Sequence, residues 1–105
     1  MAKIYENLTD LIGNTPLVKL NKLTEGLNAT VIAKLESANP GGSTKDRPAL
    51  AMVRDAVASG RLRPGGTVVE SSSGNLGVAL ARVCLEHAVR FVCVVDSRTN
   101  GTAVA

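Results

Sequence analysis

Two short segments concentrate the residues able to do chemistry. The first is Asn39-Pro40-Gly41-Gly42-Ser43-Thr44-Lys45-Asp46-Arg47, in which a lysine follows a run of glycine and hydroxyl residues. The second is Glu70-Ser71-Ser72-Ser73-Gly74-Asn75-Leu76-Gly77, which offers small polar side chains and glycines. Each stands where an apolar helical pattern begins, and a helix start presents free backbone N–H groups and a positive dipole end that favour phosphate or carboxylate. A plainer reading has Ser43 and Ser73 capping the helices, with the glycines satisfying turn geometry. A nucleotide P-loop needs glycine before the lysine and a hydroxyl after it, whereas Thr44 precedes Lys45 and Asp46 follows it. A Gly-x-Gly-x-x-Gly dinucleotide fingerprint is absent as well.

The elements that must position these segments follow from the apolar pattern. Asn7 to Leu11 is read as a short helical turn, stopped by Gly13-Asn14 and by Pro16, which disfavours helix at Thr15. Leu17 to Leu20 and Ala29 to Leu35 read as two short strands joined through the turn Glu25-Gly26-Leu27-Asn28, forming an antiparallel pair. From Thr44 to Gly60 the residues Leu50, Val53 and Val57 recur at helical spacing, which puts Lys45 at a loop-to-helix junction. Thr67 to Glu70 reads as a strand running into Ser71. A helix from Asn75 then carries Leu76, Leu80, Val83 and Cys84 on one face, and Val89 to Val95 is a continuous apolar strand. Strand and helix alternate and the strands are apolar runs, so the expected class is α/β, with a partial parallel sheet buried under alanine-rich helices and right-handed crossovers. After Asp96 the pattern dissolves, and no further element is expected before Ala105. A sheet ending so abruptly is read as the amino-terminal piece of a longer protein.

The segment from Asn39 to Arg47 resembles the cofactor-bearing lysine segment of the cysteine synthase and cystathionine β-synthase group, the β-family of pyridoxal-phosphate (PLP) enzymes of fold type II. Ile12-Gly13-Asn14-Thr15-Pro16-Leu17 is similar to that family's opening signature, and Ser72-Ser73-Gly74-Asn75 to its substrate-carboxylate loop, which normally begins with threonine. The three segments stand in the family's order, and the resemblance runs from about Tyr5 to Asp96, the first third or so of a family-length enzyme.

The resemblance implies PLP as cofactor, Lys45 as the catalytic lysine that holds it, and Asn75 as the residue that bonds its ring hydroxyl. It implies that Ser72, Ser73, Gly74, Asn75 and Leu76 grip the substrate carboxylate, a role that suits a helix start. Lys3, Lys19, Lys22 and Lys34 have no comparable junction and are read as surface or strand-edge residues. Residues 1–38 would supply opening strands that belong to the family's larger domain, and residues 39–105 an incomplete amino-terminal domain. Lys45-Asp46-Arg47-Pro48-Ala49, Gly74-Asn75-Leu76-Gly77 and Cys93-Val94-Val95-Asp96 look closest to the branch of the 2,3-diaminopropionate pathway, which joins O-phospho-L-serine to L-glutamate for siderophores or peptide antibiotics. Leu76 stands where cysteine synthases usually carry threonine. A cysteine synthase is the alternative, and a non-catalytic remnant that binds an anion or a partner through residues 71–76 is the third reading. The family implies a homodimer for a full-length parent, and small amino acids as substrates. With the phosphate cradle lying beyond Ala105 in the family, this chain alone is expected to bind PLP weakly.

Composition removes other classes. Twelve basic residues against nine acidic ones give a net charge of +3, but they are scattered from Lys3 to Arg98, and the aromatic side chains are Tyr5 and Phe91 alone. Neither a basic cluster nor a stacking platform for nucleic acid is present. Cys84 and Cys93 lack Cys-x-x-Cys spacing and, with the lone His87, make no four-ligand metal site. No stretch approaches the roughly 20 apolar residues of a membrane span, and Met1 to Asn7 lacks a secretory pattern, so a cytoplasmic location is expected.

Overall fold

The computed structural model describes residues 2–105. A single-turn 3₁₀ helix at Leu8–Leu11 leads into strand β1 (Leu17–Lys19), which pairs antiparallel with β2 (Ile32–Lys34) in the register Val18 opposite Ala33. The ladder runs one bond further at each end, from Leu20 N–H to the Val31 carbonyl and from Leu35 N–H to the Pro16 carbonyl, both 3.0 Å. The second strand is thus shorter than the run from Ala29 to Leu35 suggests. A β-branched run forms a strand only where a partner is available, and Leu17–Lys19 supplies three residues of it.

Helix α1 (Asp46–Ala58) starts two residues later than Thr44, and Gly60, at φ +74°, turns the chain away at its far end. Strand β3 (Thr67–Ser71) crosses through helix α2 (Asn75–Glu86) to β4 (Arg90–Val94), and the two strands pair parallel, Val69 opposite Val92. At the end of α2 the left-handed position is taken by Ala88 (φ 53°), and Val89 N–H reaches back to the Cys84 carbonyl at 3.0 Å. A short helix α3 (Gly101–Val104) follows, where no element was expected. Its start is made by Asn100, whose side chain accepts from Thr102 N–H at 2.9 Å.

The core lies between α1 and α2 and under the parallel pair. Ala49, Leu50 and Val53 of α1, Leu62, and Ala79, Leu80, Val83 and Cys84 of α2 are buried, with Val68, Leu76, Val89 and Phe91 packed against them. Leu50, Val53, Leu80, Val83 and Cys84 are residues that the helical spacing selects, Ala49, Leu62 and Ala79 join them, and two expectations are corrected. Val57 lies half exposed, and the strands are buried on one face only: along β3 and β4 exposure alternates, leaving Val69 and Val94 62% and 54% exposed. Both helices reach the face that carries Val68 and Phe91. A continuous apolar run therefore marks a strand but does not say which face is covered. The radius of gyration, 17.1 Å, exceeds the roughly 13 Å of a compact domain of this length, and β1 and β2 pack chiefly on each other. Among the described residues no helix is long and apolar enough to cross a membrane.

Candidate active site

Lys45 occupies the residue before α1, in helical backbone geometry (φ −71°, ψ −16°), and is exposed. Among the described residues no carboxylate pairs with its amine. The turn that delivers it is held by side chains. Asn39, 6% exposed, donates its amide N–H groups to the Glu36 backbone carbonyl (2.9 Å), the Glu36 Oε2 (2.7 Å) and the Ser43 carbonyl (3.1 Å), while its Oδ1 accepts from Gly13 N–H at 3.4 Å. Gly42, at φ +74°, supplies the left-handed position that closes the turn onto the Asn39 carbonyl at 2.8 Å. The Ser43 hydroxyl accepts from Lys45 N–H at 3.1 Å, and the buried Asp46 carboxylate accepts from Gly41 N–H.

Glu36 ties this turn to the opening segment. Its Oε1 accepts from the Thr15 hydroxyl at 3.2 Å and lies 3.4 Å from Lys34 Nζ and 3.7 Å from Arg47 Nη1, which also donates to Thr15 Oγ1 at 3.3 Å. Desolvation of Glu36 pushes its pKa upward, but the bonds from Asn39, Thr15 and Lys34 and the charge of Arg47 outweigh it and leave the carboxyl below its ordinary value. The opening signature and the lysine segment, bonded across 26 and 32 residues of sequence, thus meet around one carboxylate.

The second turn is built differently. Ser72 Oγ accepts from the N–H groups of Gly77 (3.0 Å) and Gly74 (3.3 Å), so this hydroxyl satisfies the start of α2. The plainer expectation placed that cap at Ser73, which is exposed and makes no bond of this kind; the cap comes from Ser72, three residues before Asn75. Asn75 is exposed as the first residue of α2, and helix geometry leaves the N–H groups of Asn75 and Leu76 without intrahelical partners. The Leu76 side chain packs on the core, so it faces away from those amides. Cys93 Sγ donates to the Ser72 carbonyl at 3.3 Å and would stand 3.0 Å from a Cβ at Gly77, which pins the helix start to β4. A cavity of about 170 Å³ adjoins the turn, lined by Ser72, Ser73, Gly74, Gly77, Phe91 and Cys93 among others. Ser72, Ser73 and Gly74 share that cavity, while Lys45, Asn75 and Leu76 do not line it.

The other candidates are structural. Burial raises the Cys84 thiol pKa, which leaves it protonated and inert, and His87 Nδ1 lies 3.0 Å from the Val83 carbonyl at the end of α2. Glu36 is the residue that sequence reasoning missed: a lone acidic residue after a strand carries no local signal, and its four partners come from three segments. Asn39 and Asp46 lie within the motif, yet only burial distinguishes them from their neighbours.

A free amine at one helix start and open N–H groups at another suit a carbonyl compound that also carries acid groups, as PLP and its amino-acid substrates do. Over residues 8–105 the chain matches the family described as pyridoxal-phosphate dependent enzyme. It is 48% identical over 99 residues to an N-(2-amino-2-carboxyethyl)-L-glutamate synthase of Ralstonia nicotianae, covering 94% of this chain and 29% of that protein. A cysteine synthase of Neurospora crassa is 52% identical over 89 residues, covering 85% of this chain and 24% of the relative. The solved structure of a hydrogen sulfide-producing enzyme from Fusobacterium nucleatum superposes with a TM-score of 0.93 at 35% identity, across 99% of this chain and 34% of that one. The chain thus spans about a third or less of the length of the proteins it matches. A match over nearly the whole chain, with the same fold at more than 30% identity, places it in the pyridoxal-phosphate-dependent enzyme family, as the amino-terminal part of a fold type II protein.

Proposed function

We propose that this chain carries the lysine and the substrate-carboxylate turn of a PLP-dependent synthase that replaces a group on the β-carbon of an amino acid, joining O-phospho-L-serine to L-glutamate. The 48% identity across 94% of the chain to an N-(2-amino-2-carboxyethyl)-L-glutamate synthase carries the reading, together with Leu76 in the turn. Residues 1–38 would belong with the family's larger domain and residues 39–105 would form an incomplete amino-terminal domain. Cysteine synthesis is the second reading, favoured by the 52% identity to the Neurospora relative.

PLP, when bound, supplies an aldehyde that an amine can hold and a ring that takes up the electron pair released at the substrate α-carbon. Lys45 Nζ would hold that aldehyde as the nucleophilic amine. Once displaced by the incoming amino acid, the same Nζ would accept the α-proton as general base. Asn75 would donate its amide to the ring hydroxyl. The N–H groups of Asn75 and Leu76 would bind the substrate carboxylate, assisted by the dipole of α2, with Ser73 reaching from the exposed side of the turn. Ser72 would act through the backbone, its hydroxyl holding Gly74 and Gly77 so that those amides stay aligned.

The test is absorbance. Because this chain alone is expected to bind PLP weakly, wild-type chain should develop the visible band of PLP joined to a lysine only at a large excess of PLP, and Lys45→Ala should not develop it at any excess. O-phospho-L-serine should bleach that band at lower concentration than O-acetyl-L-serine. The reverse order would favour cysteine synthesis, and an unchanged band in the Lys45 variant would overturn the assignment of the lysine.

A further inference from the structure

We propose that Asp46 is a positioning residue for Lys45, acting through a carboxylate-to-amide lock with Gly41; this rests on the reading of Lys45 as the cofactor lysine. Asp46 is 1% exposed, and carboxylates are almost never buried to that degree without a partner. Its partner is the Gly41 N–H, five residues earlier, so the bond closes a ring that contains Gly42, Ser43, Thr44 and Lys45. Asp46 is the first residue of α1, where the helix dipole favours a negative charge.

The lock has a size requirement. A Cβ built on Gly41 would overlap the Asp46 carboxylate, with Cγ only 2.8 Å away. Gly42 is at φ +74° and needs glycine for its conformation, but Gly41 is not in the left-handed region. Gly41 is therefore glycine for room, to let the carboxylate reach its amide. Inside the ring the Ser43 hydroxyl accepts from Lys45 N–H at 3.1 Å, and on the helix side the Lys45 carbonyl accepts from Ala49 N–H at 3.1 Å. Both ends of the Lys45 backbone are thereby fixed, which aims its Cα–Cβ bond. Lys34, on the β1–β2 hairpin, has no such ring and serves as the internal reference.

The experiment uses the full chain. Wild type, Asp46→Ala, Asp46→Asn, Gly41→Ala and the double variant are mixed with saturating PLP, reduced with borohydride and digested, and the pyridoxyl label on Lys45 is divided by that on Lys34. Circular dichroism and urea midpoints establish the folded fraction in each sample. At equal folded fraction, the ratio should fall about tenfold in Asp46→Ala, the loss expected for a hydrogen bond to a charged group. Asp46→Asn, which keeps the shape and an acceptor oxygen, should retain most of it, a rescue that a purely structural role would not produce in this ratio. Gly41→Ala should lower the ratio like Asp46→Ala, and the double variant should be no worse than either, because both substitutions break the same bond. Should Asp46→Ala not fold, the contrast between Asp46→Asn and Gly41→Ala reads the same quantity. A wild-type ratio in Asp46→Ala or Gly41→Ala, or additive losses in the double variant, would overturn the lock alone. Wild-type label spread evenly over the lysines would overturn both the lock and the reading of Lys45.

Discussion

The turn before α1 and the turn before α2 both bring the chain to a helix start, and they are held by different means. Around Lys45 the turn is anchored by an amide and two carboxylates: Asn39 spans four backbone and side-chain partners, Glu36 gathers Thr15, Lys34 and Arg47, and Asp46 holds Gly41. Around Ser72 one hydroxyl holds two amides and Cys93 holds the Ser72 carbonyl, while the first amides of α2 stay open. The first turn combines local bonds with ties to Gly13 and Thr15 of the opening segment and presents a side chain. The second combines a local hydroxyl with a tie to Cys93 of β4 and presents backbone. A covalent anchor needs one amine held in one direction, whereas a bound carboxylate needs several N–H groups that can close around it.

Breaking the first turn should cost most. Asn39→Ala removes a buried amide and leaves the Gly13 N–H and Glu36 Oε2 without its bonds, and about 3 kcal/mol of stability should be lost in urea unfolding. Amide exchange at Gly77 should stay as in wild type if the two turns are independent. The second turn should yield less: Ser72→Ala should cost about 1 kcal/mol, the usual value of a lost helix cap, while Ser73→Ala should leave the urea midpoint unchanged. A larger loss at Ser73 would reverse the assignment of the cap.

The smallest effect is a pH dependence confined to the first turn. The Glu36 pKa is lowered in the folded chain from its ordinary 4.5, so its contribution is present above that value and is lost as the pH falls through the lowered one. Wild type should therefore lose more stability between neutral pH and about pH 3 than Glu36→Gln does, measured as urea midpoints. Equal losses would mean that the Thr15, Lys34 and Arg47 contacts do not favour the charged carboxylate.

Much of this organisation was legible in the residues. Glycine, proline and serine clusters punctuate the chain at both helix starts, and the spacing of Leu50, Val53, Leu80, Val83 and Cys84 selects the buried faces. Local signals of that kind find elements and put Lys45 and Asn75 at their ends. They do not find partners distant in sequence, so the gathering of Thr15 and Arg47 at Glu36 and the burial of Asp46 emerge only in three dimensions. Which of three consecutive serines caps α2 is not readable from residue type, since all three offer the same hydroxyl and only that of Ser72 meets the Gly74 and Gly77 amides. The uncovered faces of β3 and β4 are likewise unreadable from Val68-Val69 and Phe91-Val92, since neighbouring residues are equally apolar and only packing separates them.

Of the lysines of this chain, Lys45 is the one proposed to hold PLP. Wild-type chain incubated with PLP, reduced with borohydride, digested and mapped by mass spectrometry tests it most directly. The predicted result is pyridoxyl label concentrated on the peptide containing Lys45 and absent from the same peptide in Lys45→Ala. Label concentrated on Lys3, Lys19, Lys22 or Lys34 would contradict it.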